Sequence, residues 1–296
     1  MNILITGAGG QLGQDCLTVM GEEPAVVHGR TSKQLDITQP EQVLLEIQTL
    51  RPDVVVNCAA YTAVDKCESE QEACWAVNAQ GAANLAESCA ACGSRLIHIS
   101  TDYVFAGNKS VLEPYTETDP VGPLSAYGKS KLAGEQAIAG KMDDFLILRT
   151  SWLYGMGGNN FLKTMLRLAM ADPERTIRVV NDQYGSLTWT MTLARQIKLL
   201  LASELTGIAH ATAENSSTWY AGAKYFLQSM GVAFSLEPCL TAEYPTPALR
   251  PANSTLENIS LKGHNINLMQ AWQQDLDAFV ELYRDELIAQ FTSTTC

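Results

Sequence analysis

The first twenty residues constrain the fold more than any other stretch. Residues 2–6 (Asn-Ile-Leu-Ile-Thr) form a short apolar run that reads as a buried strand. Gly7-Ala8-Gly9-Gly10-Gln11-Leu12-Gly13 follows without a gap, and residues 11–20 have helix-type sequence. A glycine pattern alone is weak, but strand, glycine turn and helix in succession give it meaning. Gly7 allows the tight turn, Gly10 lets the backbone approach a pyrophosphate, and Gly13 lets the helix sit close on the sheet. The helix start, with Gln11 and Leu12, then offers free N–H groups and a positive dipole end to phosphate. These residues predict a dinucleotide site.

The alternation continues. Residues 25–28 read as a second strand that ends at Gly29-Arg30-Thr31. NAD-specific sites usually place an acid here for the ribose hydroxyls. Arg30 stands there instead, so a 2′-phosphate is expected and NADPH is favoured over NADH. Asp36 and Ile37, slightly further on, are candidates for the adenine end. After a helix over 42–50, residues 53–57 form a third buried strand. It ends in Cys58-Ala59-Ala60-Tyr61-Thr62, and Ala60, Tyr61 and Thr62 are expected along the cofactor.

Helix-type sequence runs from 69 to 92, and the fourth strand, 95–99, ends in Ser100-Thr101-Asp102-Tyr103. Ligands of open parallel sheets sit outside the carboxyl ends of strands, which puts the Thr101 hydroxyl where the glycine turn would place a nicotinamide. Residues 106–124 read as a loop and 145–149 as a fifth strand. Five alternating β and α units predict an α/β, doubly wound parallel sheet of the Rossmann type.

Past residue 155 the pattern loosens, with helices over 159–171, 193–201, 218–230 and 268–290 and one strand-like run at 176–180. At 296 residues the chain has room for two lobes. The expected division is an NADP-binding domain over 1–155, rejoined by about 186–212, and a smaller mixed α/β substrate lobe from about 156–185 and 213–296.

Chemistry gathers at Ser125-Ala126-Tyr127-Gly128-Lys129-Ser130-Lys131. Tyr127 and Lys131 fall one helical turn apart on one face. An ammonium so placed lowers the phenol's pKa, letting it give or take a proton. A second such pair, Tyr220 and Lys224, lies outside the alternating pattern and reads as helix surface or packing. The first pair lies between the fourth and fifth strands, on the cleft to which Thr101 and the glycine turn also point. In the proline-bracketed stretch 246–251, Arg250 is held in place and suits bidentate capture of a phosphate.

A net charge of −12 disfavours nucleic acid or an anionic membrane as partner. Eight cysteines are scattered (16, 58, 67, 74, 89, 92, 239 and 296), and only Cys89-Ala-Ala-Cys92 is tightly spaced. With no second Cys pair and no His pair, that spacing reads as a helix face, and no metal site is expected. Reduced thiols, no basic leader and no bilayer-length apolar run lead to a cytoplasmic expectation, with no membrane partner.

Taken together, Gly7…Gly10…Gly13, Ser100-Thr101-Asp102 and Tyr127…Lys131 resemble the extended short-chain dehydrogenase/reductase superfamily. Finer stretches are similar to its dTDP-4-dehydrorhamnose reductase family from residue 2 to about 290: residues 57–66, 100–105, 149–154, 181–185 and 244–251. The resemblance implies hydride transfer from NADPH, or NADH, to the C4 ketone of a dTDP-linked keto sugar, dTDP-4-dehydro-L-rhamnose. Tyr127 would protonate the developing alkoxide. Lys131 would hold the nicotinamide ribose and keep the tyrosine's pKa low, while Thr101 would bond the carbonyl oxygen. Asp102 and Trp152 would contact the sugar, and Arg250 the nucleotide diphosphate. Related 4,6-dehydratases follow the strand-end Thr with Asp-Glu, whereas Asp102-Tyr103 stands here, which favours reduction over elimination. The resemblance leaves three points open: a non-catalytic NADP-binding regulatory subunit of methionine adenosyltransferase, a reductase or epimerase of another nucleotide-linked keto sugar, and a homodimer.

Overall fold

A computed structural model describes residues 1–21, 25–111 and 113–292. The chain begins β1 (Asn2–Thr6), α1 (Gln11–Met20), β2 (Val26–Arg30), α2 (Pro40–Leu50) and β3 (Val54–Asn57). It goes on with α3 (Val64–Ser69), α4 (Gln71–Trp75), a π-helical turn (Ala76–Gly81), α5 (Ala82–Cys92), β4 (Arg95–Thr101), α6 (Ala126–Ala139) and β5 (Phe145–Thr150). Then come β6 (Leu153–Tyr154), α7 (Phe161–Ala171), β7 (Thr176–Val180), β8 (Tyr184–Gly185), β9 (Thr188–Trp189) and α8 (Thr190–Leu200). The rest is β10 (Gly207–His210), β11 (Ser217–Thr218), α9 (Trp219–Met230), β12 (Ser235–Cys239), α10 (Ile259–Gly263) and α11 (Trp272–Thr292).

Six strands form one parallel sheet in the order β10-β5-β4-β3-β1-β2, the doubly wound arrangement expected. Its apolar strands are buried on both sides because side chains alternate across the pleat. Ile3 and Ile5 face α1 and α8, where they meet Leu12, Cys16, Leu193 and Ile197. Leu4, between them, faces the layer of Val43, Ile47, Leu85 and Cys89 from α2 and α5.

The stretch 69–92, expected to be helical throughout, is broken after Ser69 and loosened into the π turn. Asn78 accounts for the π turn. Its Oδ1 accepts from Tyr61 N at 2.8 Å, and its Nδ2 donates to Tyr61 O at 3.1 Å and to Ser130 Oγ at 3.0 Å. A π turn swings one residue out of the regular ladder, and such turns gather at functional sites.

A second core joins α7, α9 and α11 through Leu162, Leu166, Phe226, Leu276 and Phe279, closed by Ile177 and Val179 of β7. The chain crosses back from this lobe: α8 lies on α1, and β10 extends the large sheet beside β5. On α9, Tyr220 packs half-buried on the second core and Lys224 is exposed. The seven described cysteines are free thiols; Cys296 lies outside the described residues. Among the described residues no helix is long and apolar enough to cross a membrane.

One interior carboxyl carries a pH dependence. Asp275 on α11 is 2% exposed and accepts from Thr192 Oγ1 at 2.7 Å. Burial pushes its pKa up to about 6, with the Thr192 hydrogen bond opposing. The folded chain therefore binds the extra proton between the ordinary carboxylate pKa and about 6, and stability falls as pH rises through that window. Asp275→Asn keeps an acceptor for Thr192 and removes the buried charge. We expect its melting midpoint to exceed the native one at about pH 8, with a smaller gain at about pH 5. Equal gains in a thermal melt at the two pH values would refute this account.

Candidate active site

The glycine turn is held by close backbone packing. Gly7 has a φ of +67°, and a Cβ on it would sit 2.5 Å from Ala59 N, at the end of β3. A Cβ on Gly13 would sit 2.3 Å from Gly7 O. The first turn of α1 has neither a side-chain cap nor an acid, so its N–H groups are open to an anion. Gly10, Gln11, Leu12 and Gly13 line one end of a cavity of about 710 Å³, with Ala60 and Thr62 on the wall beyond β3. A cradle of this kind, uncapped and without side chains at its closest points, fits a dinucleotide pyrophosphate.

The opposite wall is α6. Ser125 caps it, its Oγ accepting from Gly128 N at 3.1 Å. A Cβ on Gly128 would sit 2.2 Å from Tyr103 O, so the helix start lies directly on the short turn that follows β4. That contact brings Tyr127 and Lys131 to the cavity alongside Thr101 and Asp102. Thr101 Oγ1 donates to Asp102 Oδ1 at 2.9 Å and accepts from Tyr103 N at 3.2 Å. Further along α6, Glu135 accepts from Arg149 Nε at 3.0 Å, from Arg149 Nη2 at 2.7 Å and from the Ser100 hydroxyl. Both ions of this pair are 3% exposed, and several hydrogen bonds offset the cost of burying them.

Burial also sets the site's protonation. It pushes the Tyr127 phenol's pKa well up, with the Thr101 hydroxyl opposing and Asp102 adding to the rise. It pushes Lys131 down to about 8, with Glu135 opposing. The expectation that Lys131 keeps the Tyr127 pKa low is therefore corrected. Desolvation is the leading cause of the rise, and the Lys131 Nζ is turned to Ile99 O at 2.6 Å and His98 Nε2 at 3.1 Å. Tyr127 is thus a protonated phenol at neutral pH, suited to giving a proton. Burial likewise lifts the Asp102 carboxyl to about 6.

The far wall is aromatic. Trp152 lies in the left-handed region at φ 48° and stacks on Trp219, with ring centroids 3.6 Å apart. Phe161 meets Trp219 edge-on at 4.6 Å. Arg250 reaches the cavity from the 246–251 loop, bonded through Nη1 and Nη2 to the two Asp65 carboxylate oxygens at 2.9 Å each. That guanidinium holds the Asp65 carboxyl below its usual range.

Five predicted residues do not line the cavity. Gly7 lies beneath the turn. Tyr61 donates its hydroxyl to Glu70. Arg30 donates from Nε to Glu46 at 2.7 Å and from Nη1 to Gly29 O at 3.1 Å. Asp36 Oδ1 accepts from Thr38 N and Oγ1 at 2.9 and 2.8 Å. Ile37 is 4% exposed and packs in the core opposite Gly81, so its side chain is not a ligand face. Arg30 stands at the end of β2, an edge strand, away from the enclosed part of the cavity.

Nothing in the sequence marks Trp219, Phe161 and Asn160 as site residues. Asn160 donates to Gln11 Oε1 at 2.9 Å, tying the start of α7 to the glycine turn. Aromatic residues at helix starts read as packing, and no spacing distinguishes these. Among the described residues, no group of three or more His, Cys, Asp or Glu side chains suits a metal ion.

Comparison with known proteins narrows the chemistry. The family described as RmlD substrate binding domain matches residues 1–285. The dTDP-4-dehydrorhamnose reductase of Salmonella typhimurium is 38% identical, with 100% of both chains covered. The solved structure of a dTDP-4-dehydrorhamnose reductase from Clostridium acetobutylicum superposes with a TM-score of 0.93 at 39% identity, covering 96% of this chain and 100% of that one. The Bacillus anthracis dTDP-4-dehydrorhamnose reductase, solved in complex with NADP, gives 0.91 at 37% identity, over 94% and 98%.

The cradle geometry yields a direct test. Gly13→Ala forces a methyl against Gly7 O and Ala8 Cα, neither of which can rotate away. We expect dinucleotide binding, followed by fluorescence titration, to weaken roughly tenfold or more, about 1.4 kcal/mol. Native affinity in this variant would rule out the close approach described.

Proposed function

Because this chain belongs to the RmlD substrate binding domain family, we propose that it is an NADP-dependent dTDP-4-dehydrorhamnose reductase. It reduces the C4 ketone of dTDP-4-dehydro-L-rhamnose to give dTDP-L-rhamnose. The observation that carries this reading is that Tyr127, Lys131 and Thr101 line the same cavity as the uncapped glycine turn Gly10–Gly13.

NADPH supplies the hydride. Gly10, Gln11, Leu12 and Gly13 hold its pyrophosphate over the start of α1, which Gly7 shapes, while Ala60, Tyr61 and Thr62 follow along it. Arg30 and Asp36 form the rim for the adenosine end, where Arg30 favours a 2′-phosphate. Lys131 holds the nicotinamide ribose. Thr101 donates its hydroxyl to the ketone oxygen as charge builds there. Tyr127 gives that oxygen its proton, and burial of the phenol supports this role by keeping it protonated until needed.

Asp102 and the Trp152–Trp219 wall grip the sugar, and Arg250 meets the diphosphate. The residue after Asp102 is Tyr103 rather than a second acid, which disfavours elimination and favours simple carbonyl reduction. In this reading residues 1–155, rejoined by about 186–212, carry NADP, and about 156–185 and 213–296 form the sugar lobe. A cytoplasmic site of action and a homodimer belong to the same proposal.

Incubation with NADPH and a panel of nucleotide-4-ketosugars, with products identified by NMR, is expected to give dTDP-L-rhamnose. Tyr127→Phe should lower turnover by roughly 10²-fold or more while NADPH still binds. Full activity in that variant would remove the proton-donor role. Arg30→Asp should shift preference toward NADH; an unchanged ratio of the two cofactors' kcat/KM would exclude Arg30 from the 2′-phosphate.

A further inference from the structure

One buried histidine has no part in that scheme. His98 stands on β4, 1% exposed, with its two ring nitrogens facing different partners. Nδ1 is 2.8 Å from Asn57 Nδ2, and Nε2 is 3.1 Å from Lys131 Nζ. Asn57 is itself oriented. Its Oδ1 accepts from Thr6 Oγ1 at 2.6 Å and from the backbone N–H of Ala59 at 3.0 Å. Turning the amide over would set its NH2 against the Ala59 N–H, donor against donor. The NH2 therefore faces His98, and Nδ1 must be the acceptor. A neutral imidazole then carries its proton on Nε2. Its N–H points at Nζ, which can accept only as an amine, because an ammonium has donors and no lone pair.

We propose that His98 is a positioning residue for Lys131: locked as the Nε2–H tautomer by the Thr6–Asn57 chain, it presents a donor to Nζ and stabilises the amine form during turnover. This rests on the reading that Lys131 works beside Tyr127. Once Tyr127 has given its proton to the reduced oxygen, the Lys131 ammonium returns one to the phenolate through cavity water, since Nζ itself is turned to Ile99 O and His98 Nε2. The amine left behind accepts the His98 N–H until a proton from cavity water restores it. One proton leaves Nζ and one arrives, and His98 keeps its own throughout.

The other groups facing Nζ are Glu135 one turn along α6, Cys58 past β3 and Cys74 on α4, all of which favour the ammonium. Glu135 is already paired with Arg149. Burial opposes them, and it also holds His98 neutral, with Lys131 adding to that effect. A lysine poised near neutral pH suits a proton relay better than one fixed as an ammonium.

The test uses the full chain labelled with 15N-histidine and 13Cε-lysine, with and without NADP+. In the native chain, NMR should show His98 with its proton on Nε2 across neutral pH. Asn57→Asp preserves acceptors for Thr6 and Ala59 but also accepts from the imidazole. It should move the proton to Nδ1, turn Nε2 into an acceptor, and raise the Lys131 titration midpoint by about one pH unit. The alkaline limb of the kcat/KM profile should rise with it. The same substitution in a His98→Phe background, which keeps the new charge and removes the relay, should give less than about half of that shift.

A native His98 protonated on Nδ1 would overturn the proposal, as would an equal Lys131 shift in both backgrounds. The tautomer measurement needs no variant to fold, and neither NMR readout needs turnover. A chain that reduced no keto sugar would fail the functional reading while still deciding this one.

Discussion

The constraint on which the site depends is the close approach between α1 and the glycine turn that precedes it. With Gly7 O where a Gly13 Cβ would need to be, and Ala59 N where a Gly7 Cβ would need to be, helix, turn and the end of β3 form one packed unit. Any side chain there lifts α1 from the sheet and moves its uncapped N–H groups out of reach of the cavity. The fold thus sets the strength of the anion site through distance, because a helix dipole acts only over its first turn. The apolar faces of β1 and α1 supply the stability, but the missing Cβ atoms supply the geometry.

The same device recurs on the opposite wall. Gly128 lets α6 rest on the carbonyl of Tyr103, and Gly134 lets it rest on Asn78 O, where a Cβ would sit 2.3 Å away. Asn78 is in the π turn, and its side chain in turn fixes the backbone of Tyr61. The buried Arg149–Glu135 pair and Ser100 then tie α6 to the ends of β4 and β5. Tyr127 and Lys131 are in this way referenced to three strand ends. That is what brings a phenol, an ammonium and a threonine hydroxyl to one cavity from positions up to thirty residues apart in sequence.

The sequence displays the glycine turns, the five βα units and the strand-end Thr101, because each is written in local composition or period. It also displays Tyr127 and Lys131, whose four-residue spacing has a plain meaning on a helix. It hides whatever depends on meetings across the fold. Trp219 looks like packing until Trp152 stacks on it. Asn57 and His98 look like polar ends of buried strands until the β3–β4 register sets them side by side. Ile37 fails in the other direction: its place after Asp36 suggests a ligand contact, yet α5 arrives with Gly81 and makes it core. Periodicity also cannot foresee the π turn, which is imposed by one asparagine's tertiary hydrogen bonds.

The balance between burial and pairing decides the chemistry. Four residues apart on an exposed helix, Lys131 would depress the phenol of Tyr127 by simple attraction. Inside this cavity both groups lose water, and each drifts toward its neutral form, the phenol upward and the ammonium downward. A neutral phenol is the better acid to have waiting beside a ketone, since a phenolate has no proton to give. A lysine shared between amine and ammonium is the better source from which to restore that proton. In the proposed reaction the pair therefore depends on burial, and its immediate partners decide how far each group moves. Thr101 and Asp102 pull the phenol in opposite directions. On the other side, Glu135 favours the ammonium, while the proposed Nε2–H tautomer of His98, 3.1 Å from Nζ, favours the amine.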